Sequence, residues 1–315
     1  MRTNLIMAAI AAVSMAFVSC SSDNENLVEE AKTGKAHVRL VCGMDVSVSP
    51  MGAPILAPMS RAALSANGKQ LTDLYIMDYD KATGKLLQVL HQTSTAADFA
   101  EPDLTLDYGE HVLKVVATRS QEPTLWNAQK ISWQVEPNIL TPITATQPVM
   151  LTSTKTSDTF GAEKEVSVGI GKATTVSIAL DRLVAKLVVN STDMFPEDAT
   201  TVAMDIQEYR TLSWATMDVI EAVKNQRMTD VTSLRGTAGT VISYFVLTPK
   251  DGYTTDVTLT TNRSEGTPYS TITVPGVQLE RNKVTTISGP IYGHCQGFSI
   301  SINDTWSETG YDINI

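Results

Sequence analysis

The sequence predicts an all-β protein built of β-sandwiches. Three observations carry that expectation. Apolar residues alternate with polar ones in many short runs, turn residues recur about every ten positions, and only one short segment, Met217 to Arg227, has helical spacing. A sheet that buries one face needs every second side chain apolar, so the alternation points to half-buried strands. Hydrophobic residues make up 43% of the 315 positions and charged residues 18%, which suits two packed cores rather than a disordered chain.

The chain opens on an export signal. Arg2 supplies a positive start, and Leu5 through Val18 is apolar except for Ser14. That stretch is short for a membrane span and fits the apolar region of a signal peptide. It ends at Phe17-Val18-Ser19-Cys20, followed at once by Ser21, Ser22, Asp23, Asn24 and Glu25. The boundary resembles a bacterial lipoprotein signal, in which a small residue precedes the cysteine that receives lipid and becomes the new N-terminus. Phe17 stands where leucine is usual, and an ordinary cleaved signal with an incidental cysteine is the alternative. Residues 1–19 are thus the expected signal peptide and residues 20–35 a lipidated tether. The acidic run after Cys20 resembles those that route lipoproteins to the outer-membrane surface of Gram-negative anaerobes, which implies a surface-exposed outer-membrane lipoprotein. Net charge is −10, and loss of residues 1–19 removes only Arg2. An acidic surface repels phosphate backbones, which argues against a nucleic-acid partner.

Beyond the tether the elements follow in order. Val38, Leu40 and Cys42 alternate, and Val46 and Val48 continue after Gly43, giving a first strand over about His37 to Val48. The Pro- and Met-rich stretch Pro50 to Ser60 is a loop. Leu71 to Tyr79, a turn at Asp80-Lys81-Ala82-Thr83-Gly84, and Leu86 to Leu90 read as a hairpin. Leu104 to Leu106, a turn at Tyr108-Gly109, and Val112 to Thr118 read as a second. A looser middle holds Trp126 and Trp133. Alternation resumes at Val166, Val168 and Ile170, then at Val176, Ile178 and Leu180. Asp181-Arg182 interrupts it, which divides the chain into domains at 36–180 and 181–315. Leu183 to Val189, Ile242 to Leu247, Val257 to Leu259, Ile272 to Leu279, Val284 to Ile287 and Phe298 to Ile302 follow. Tyr311, Ile313 and Ile315 close the pattern.

No catalytic constellation emerges. The sequence lacks a G-x-S-x-G elbow, a Walker loop, H-E-x-x-H and C-x-x-C. His37, His91, His111 and His294 show no metal-ligand spacing. No cofactor and no metal are expected, and the chain does not read as an enzyme. Asp78, Asp80 and Thr83 before Gly84 faintly suggest a calcium loop, but no bidentate glutamate follows, so a hairpin turn is the reading. His111 beside Glu110 is assigned a structural or surface role. Trp126, Trp133, Trp214 and Trp306 could stack on sugars, though core packing is the commoner use of tryptophan. Cys42 and Cys295 could form a disulfide in an oxidising compartment or remain two buried thiols.

The order of the second-half elements resembles the fimbrillin-type subunits of type V pili in Gram-negative anaerobes. Leu180-Asp181-Arg182-Leu183-Val184-Ala185-Lys186-Leu187 looks like the start of that family's C-terminal domain. Val277 through Gly289 looks like its late strand, turn and strand. Leu74 to Tyr79 and Gly109 to Leu113 fit its N-terminal domain. The resemblance implies two transthyretin-like β-sandwiches in tandem and assembly with other pilus subunits by strand exchange. In the family's shaft subunits an Arg-specific protease cuts after an arginine beyond the first strand. The C-terminal strand of the next subunit then fills the groove, gaining a backbone ladder and side-chain pockets. Carried onto this chain, the cut would fall at Arg61-Ala62, with Arg235 before Gly236 as a second position. Tyr311 to Ile315 could donate a strand, but a native last strand of the C-terminal domain is preferred. An anchor, tip or accessory subunit supporting adhesion is therefore expected. The alternative is a free-standing surface lipoprotein that binds a glycan or a host protein.

Overall fold

The computed structural model describes residues 34–44, 65–66, 69–119, 150–152, 158–172, 175–214, 216–265, 267–293 and 297–303. In chain order the strands are β1 (Lys35–Met44), β2 (Ser65–Ala66), β3 (Lys69–Gln70), β4 (Asp73–Asp80), β5 (Leu86–Thr93) and β6 (Asp103–Asp107). Then come β7 (Gly109–Thr118), β8 (Met150–Thr152), β9 (Thr159–Val168), β10 (Thr175–Arg182), β11 (Val184–Ser191) and β12 (Ala199–Ser213). The last are β13 (Asp218–Asp230), β14 (Gly239–Leu247), β15 (Tyr253–Arg263), β16 (Pro268–Leu279), β17 (Val284–Gly289) and β18 (Ser299–Asn303). Among the described residues the only helical turn is Thr232–Leu234. The protein is all-β, as the alternation predicts.

The first sheet path runs β5-β4-β7-β9-β10-β1-β6. Between β9 and β10 the ladder holds only Asp181 against Gly161 and Arg182 against Phe160. The path therefore folds over at that point. One layer is the antiparallel β5-β4-β7-β9, and the other is β10-β1-β6. Their inner faces share one core, to which Leu74, Ile76, Leu113 and Val115 come from one side and Val38, Leu40, Leu106 and Ile178 from the other. Burial alternates strictly along β6 and β10, so the period-two pattern of the sequence is the period of the buried face.

The second path, β16-β15-β12-β14-β11-β17-β18, folds over in the same way where β12 meets β14 only at Tyr209 and Leu247. Its core joins Leu187 and Val189 of β11, Val202, Met204 and Ile206 of β12, and Ile242 and Val246 of β14. Strand β8, from the looser middle of the chain, pairs with the end of β12. Strand β12 itself escapes the sequence reading, although Val202, Met204 and Ile206 alternate.

The helix expected over Met217 to Arg227 does not form: Met217 is a turn residue and Asp218 to Arg227 belong to β13, which pairs along β12 from Asp218 opposite Ser213 to Asp230 opposite Thr201. The reason lies in buried Glu208, which accepts hydrogen bonds from Asn225 (2.7 Å) and Arg227 (3.1 Å). Polar residues thus serve positions where a strand would ordinarily show apolar ones, and the alternation is hidden. Val219 and Val223, four apart, are left as a false helical signal.

A third apolar cluster joins the two sandwiches. Tyr75, Met77 and Val116 of the first pack with Leu183, Val184, Leu212, Trp214, Met217 and Leu247. Trp214 is wholly buried there. Preceding Leu183 of this cluster, Arg182 takes the next inward position of β10 after Leu180. It donates to Asp158 from Nε (2.7 Å) and Nη2 (3.1 Å), and to Asn282 of the β16–β17 turn from Nη1 (2.7 Å).

Candidate functional site

The feature with most functional content is the place of β1. It is not an edge. It lies parallel to β10, from Arg39 opposite Thr175 to Met44 opposite Leu180, and antiparallel to β6, from Lys35 opposite Asp107 to Arg39 opposite Asp103. Where β6 ends, the preceding loop takes over its ladder: Leu40 N–H donates to Pro102 O (3.0 Å) and Cys42 N–H to Ala100 O (2.8 Å). Ala100 holds a φ of 76° to make that approach, a region unfavourable for alanine. Val38, Leu40 and Cys42 point into the core, each at most 1% exposed.

Outside the core, Arg39 is paired with Glu101 and Lys35 with Asp107, both solvent-facing. Removing β1 would therefore leave a groove with two unpaired backbone edges, on β10 and β6, and an apolar floor. The chain that precedes β4 thus supplies a central strand of the first sandwich. Its ladders to β10 and β6 and its side chains in the core hold β1 there.

The residues singled out from the sequence divide into two sets. Cys20, Arg61, Ala62 and Cys295 lie outside the described residues, as do Val46, Val48, Trp126, Trp133, Trp306 and Tyr311 to Ile315. Cys42 is a free buried thiol, and burial pushes its pKa up to about 12, which leaves it protonated and unreactive. Trp214 is core, as the commoner use of tryptophan implies. Arg235 donates from Nε to Ala199 O (2.7 Å), so it is tied to the body of the second sandwich.

The Asp80 loop is a hairpin turn. Asp80 Oδ1 accepts from Thr83 N–H (2.7 Å) and Thr83 Oγ1 (2.6 Å), and Gly84 adopts a φ of 67°. Asp78 is turned away from it and meets His111 Nδ1 at 2.7 Å, both side chains being buried. His111 Nε2 lies 2.8 Å from Asp107 O, and a carbonyl can only accept, so Nε2 carries hydrogen. One further proton must then sit between His111 and Asp78. Burial raises the Asp78 carboxyl against the pull of His111. This pair binds β4 to β7 and is structural. Among the described residues no group of His, Cys, Asp and Glu could hold a metal ion.

Comparisons with known proteins bear on the same features. A profile of DUF6562, a family of unknown function, matches residues 131–314. No curated protein matches the sequence. Among solved structures, the fimbrial anchor protein Mfa2 from Porphyromonas gingivalis superposes with a TM-score of 0.53 at 11% identity, over 86% of this chain and 98% of that one. A candidate adhesin from Bacteroides thetaiotaomicron gives 0.51 at 12% identity, over 86% and 97%. Candidate polysaccharide-binding proteins of the DUF1812 group from the same organism give 0.52 at 11%, over 85% and 96%. At these identities the likeness is one of fold, and it extends over both sandwiches.

Proposed function

We propose that this chain, which belongs to the DUF6562 family of unknown function, is a structural component of a cell-surface fimbrium, an anchor or an accessory or tip subunit. The observation that carries the reading is the central, core-filling position of β1 in a fold shared with a fimbrial anchor protein. A first strand so placed is the unit that strand exchange would replace, and β5, β6, β13, β16 and β18, edge strands among the described residues, offer further sites for added strands. The chain is exported, lipidated at Cys20 and held at the outer membrane by that lipid. It contacts other pilus subunits by strand exchange and supports adhesion to a host protein or glycan. Its two tandem domains divide near Arg182, and Arg61-Ala62 is the position at which processing would release β1. No step in this role requires catalysis.

A free-standing glycan-binding lipoprotein is the second reading, favoured by the fold likeness to candidate polysaccharide-binding proteins. Intact-mass and N-terminal analysis of the protein from native outer membranes tests the proposal. An anchor starts at lipidated Cys20 with no internal cut. A start at Ala62 means that β1 is removed and the chain polymerises. A start at neither, without lipid, contradicts the proposal.

A further inference from the structure

Among the described residues, the second sandwich is open along one side. Strand β18 pairs with β17, setting Ile302 opposite Thr285 and Ile300 opposite Ile287. Residues directly opposite in a ladder share a face. Thr285 and Ile287 are wholly buried, so Ile300 and Ile302 lie on the inner face too, yet they remain 40% and 37% exposed. The facing wall is the first half of β16, which among the described residues has β15 as its only ladder partner and so presents a bare backbone edge. Between the two walls runs a cleft of about 940 Å³ lined by Tyr269, Ile272, Val274, Phe298 and Ile300.

The cleft is built and not a product of loose packing. Phe298 lies so close over Gly289 that no Cβ would fit there. The loop between β17 and β18 is pinned by Asp193, whose carboxylate accepts from the backbone N–H groups of Ile291 (3.0 Å), Tyr292 (2.9 Å) and Gly293 (2.9 Å). An apolar inner face beside two edges that are bare among the described residues calls for an extended strand with alternating apolar residues.

We propose that residues 304–315 of the same chain fill this seam, with Tyr311 to Ile315 added antiparallel to β18. Three observations select this occupant. Tyr311, Ile313 and Ile315 alternate with Asp312 and Asn314, which gives one apolar face for Ile300 and Ile302. The segment follows Asn303 directly, and residues 304–310, ending in Gly310, supply a turn back along the free edge of β18. A five-residue strand spans roughly 17 Å, the length of β18 itself. Covalent attachment then holds the strand at high effective concentration beside its site, ahead of any strand from outside. A tail seated in its own sandwich is withheld from donation to a neighbouring subunit.

Amide hydrogen exchange on the soluble chain 21–315 tests this, against the same chain ending at Gly310 and against Ile313→Asp. The proposal expects residues 268–275 and 299–303 to exchange at least tenfold more slowly in the full chain than in either variant, independent of protein concentration. Amides of Leu113 to Ala117, in the first sandwich, report whether each variant is folded. Equal exchange in all three chains overturns the proposal. Protection that grows with protein concentration makes a second copy the occupant and overturns it equally. Protection that appears only when other fimbrial subunits are added does the same.

Discussion

Arg182 and Asp158 form a two-bonded ion pair, at 2.7 and 3.1 Å, with both side chains at most 3% exposed. The guanidinium also lies over the Phe160 ring, 4.7 Å from its centroid, and reaches Asn282 in the second sandwich. One side chain thus ties the end of β10 to the start of β9 and to the neighbouring sandwich. Removing either charge leaves the other buried without its partner, which costs about 3–5 kcal/mol. Arg182→Ala and Asp158→Ala should each lose that much stability in urea unfolding. The double variant should lose much less than the sum, because no charge is left stranded. Additive losses would contradict the pairing.

Trp214 tests whether the sandwiches act as one body. It is wholly buried in the cluster that joins them. Trp214→Ala should cost about 3–5 kcal/mol, the range for truncating a buried aromatic. Because the lost contacts lie between sandwiches, calorimetry should show the single transition split into two. A lowered but still single transition would place the loss within one sandwich.

Asp193 sets an acid limit for the β17–β18 loop. Desolvation pushes its carboxyl up, but hydrogen bonds from Ser191 and from three backbone N–H groups outweigh it and hold the carboxyl below its ordinary 3.8. A folded pKa below the unfolded one contributes stability that is fully present above the unfolded value and is lost as pH falls through the folded one. Asp193→Asn should therefore be less stable than the parent near pH 7, by about 0.5–1.5 kcal/mol, because solvent screens this partly exposed carboxylate. Its stability should also fall less steeply below pH ~4. Parallel pH profiles for the two chains would rule out the role.

Much of this architecture was legible in residues whose alternation survives intact. Val176, Ile178 and Leu180 read as a strand and are one, with Arg182 occupying the next inward position. The hairpin at Asp80 was legible because its turn chemistry is local. What was not legible depends on partners distant in sequence. Asn225 and Arg227 look like surface residues until Glu208, on the adjacent strand, is seen to hold them inside. His111 gives no hint that Asp78 will face it. The resemblance of Leu180 to Leu187 and of Val277 to Gly289 pointed to a fold that the comparisons share, while β12, the longest strand, went unread. Its inward run of Val202, Met204 and Ile206 is interrupted by Glu208 and Arg210, so the apolar run is short.

Leu40 tests the groove under β1. It is fully buried at the centre of the strand, and Leu40→Ala should cost about 2–5 kcal/mol. A chain that begins at Ala62 lacks β1 altogether and should be strongly destabilised or aggregate. A peptide of residues 35–44 should restore its solubility and raise its melting temperature. The same peptide carrying Leu40→Asp should not. Equal rescue by both peptides would mean that the groove does not read side chains.

The most direct test of a fimbrial role is the state of the chain on native cells. Surface filaments are sheared off, purified, and resolved in detergent with and without boiling, and the chain is followed by antibody. The account predicts that it copurifies with the filaments and enters high-mass bands that collapse only on boiling. Recovery solely as a monomer, absent from filaments even after chemical cross-linking, would contradict it and leave a free-standing surface binder.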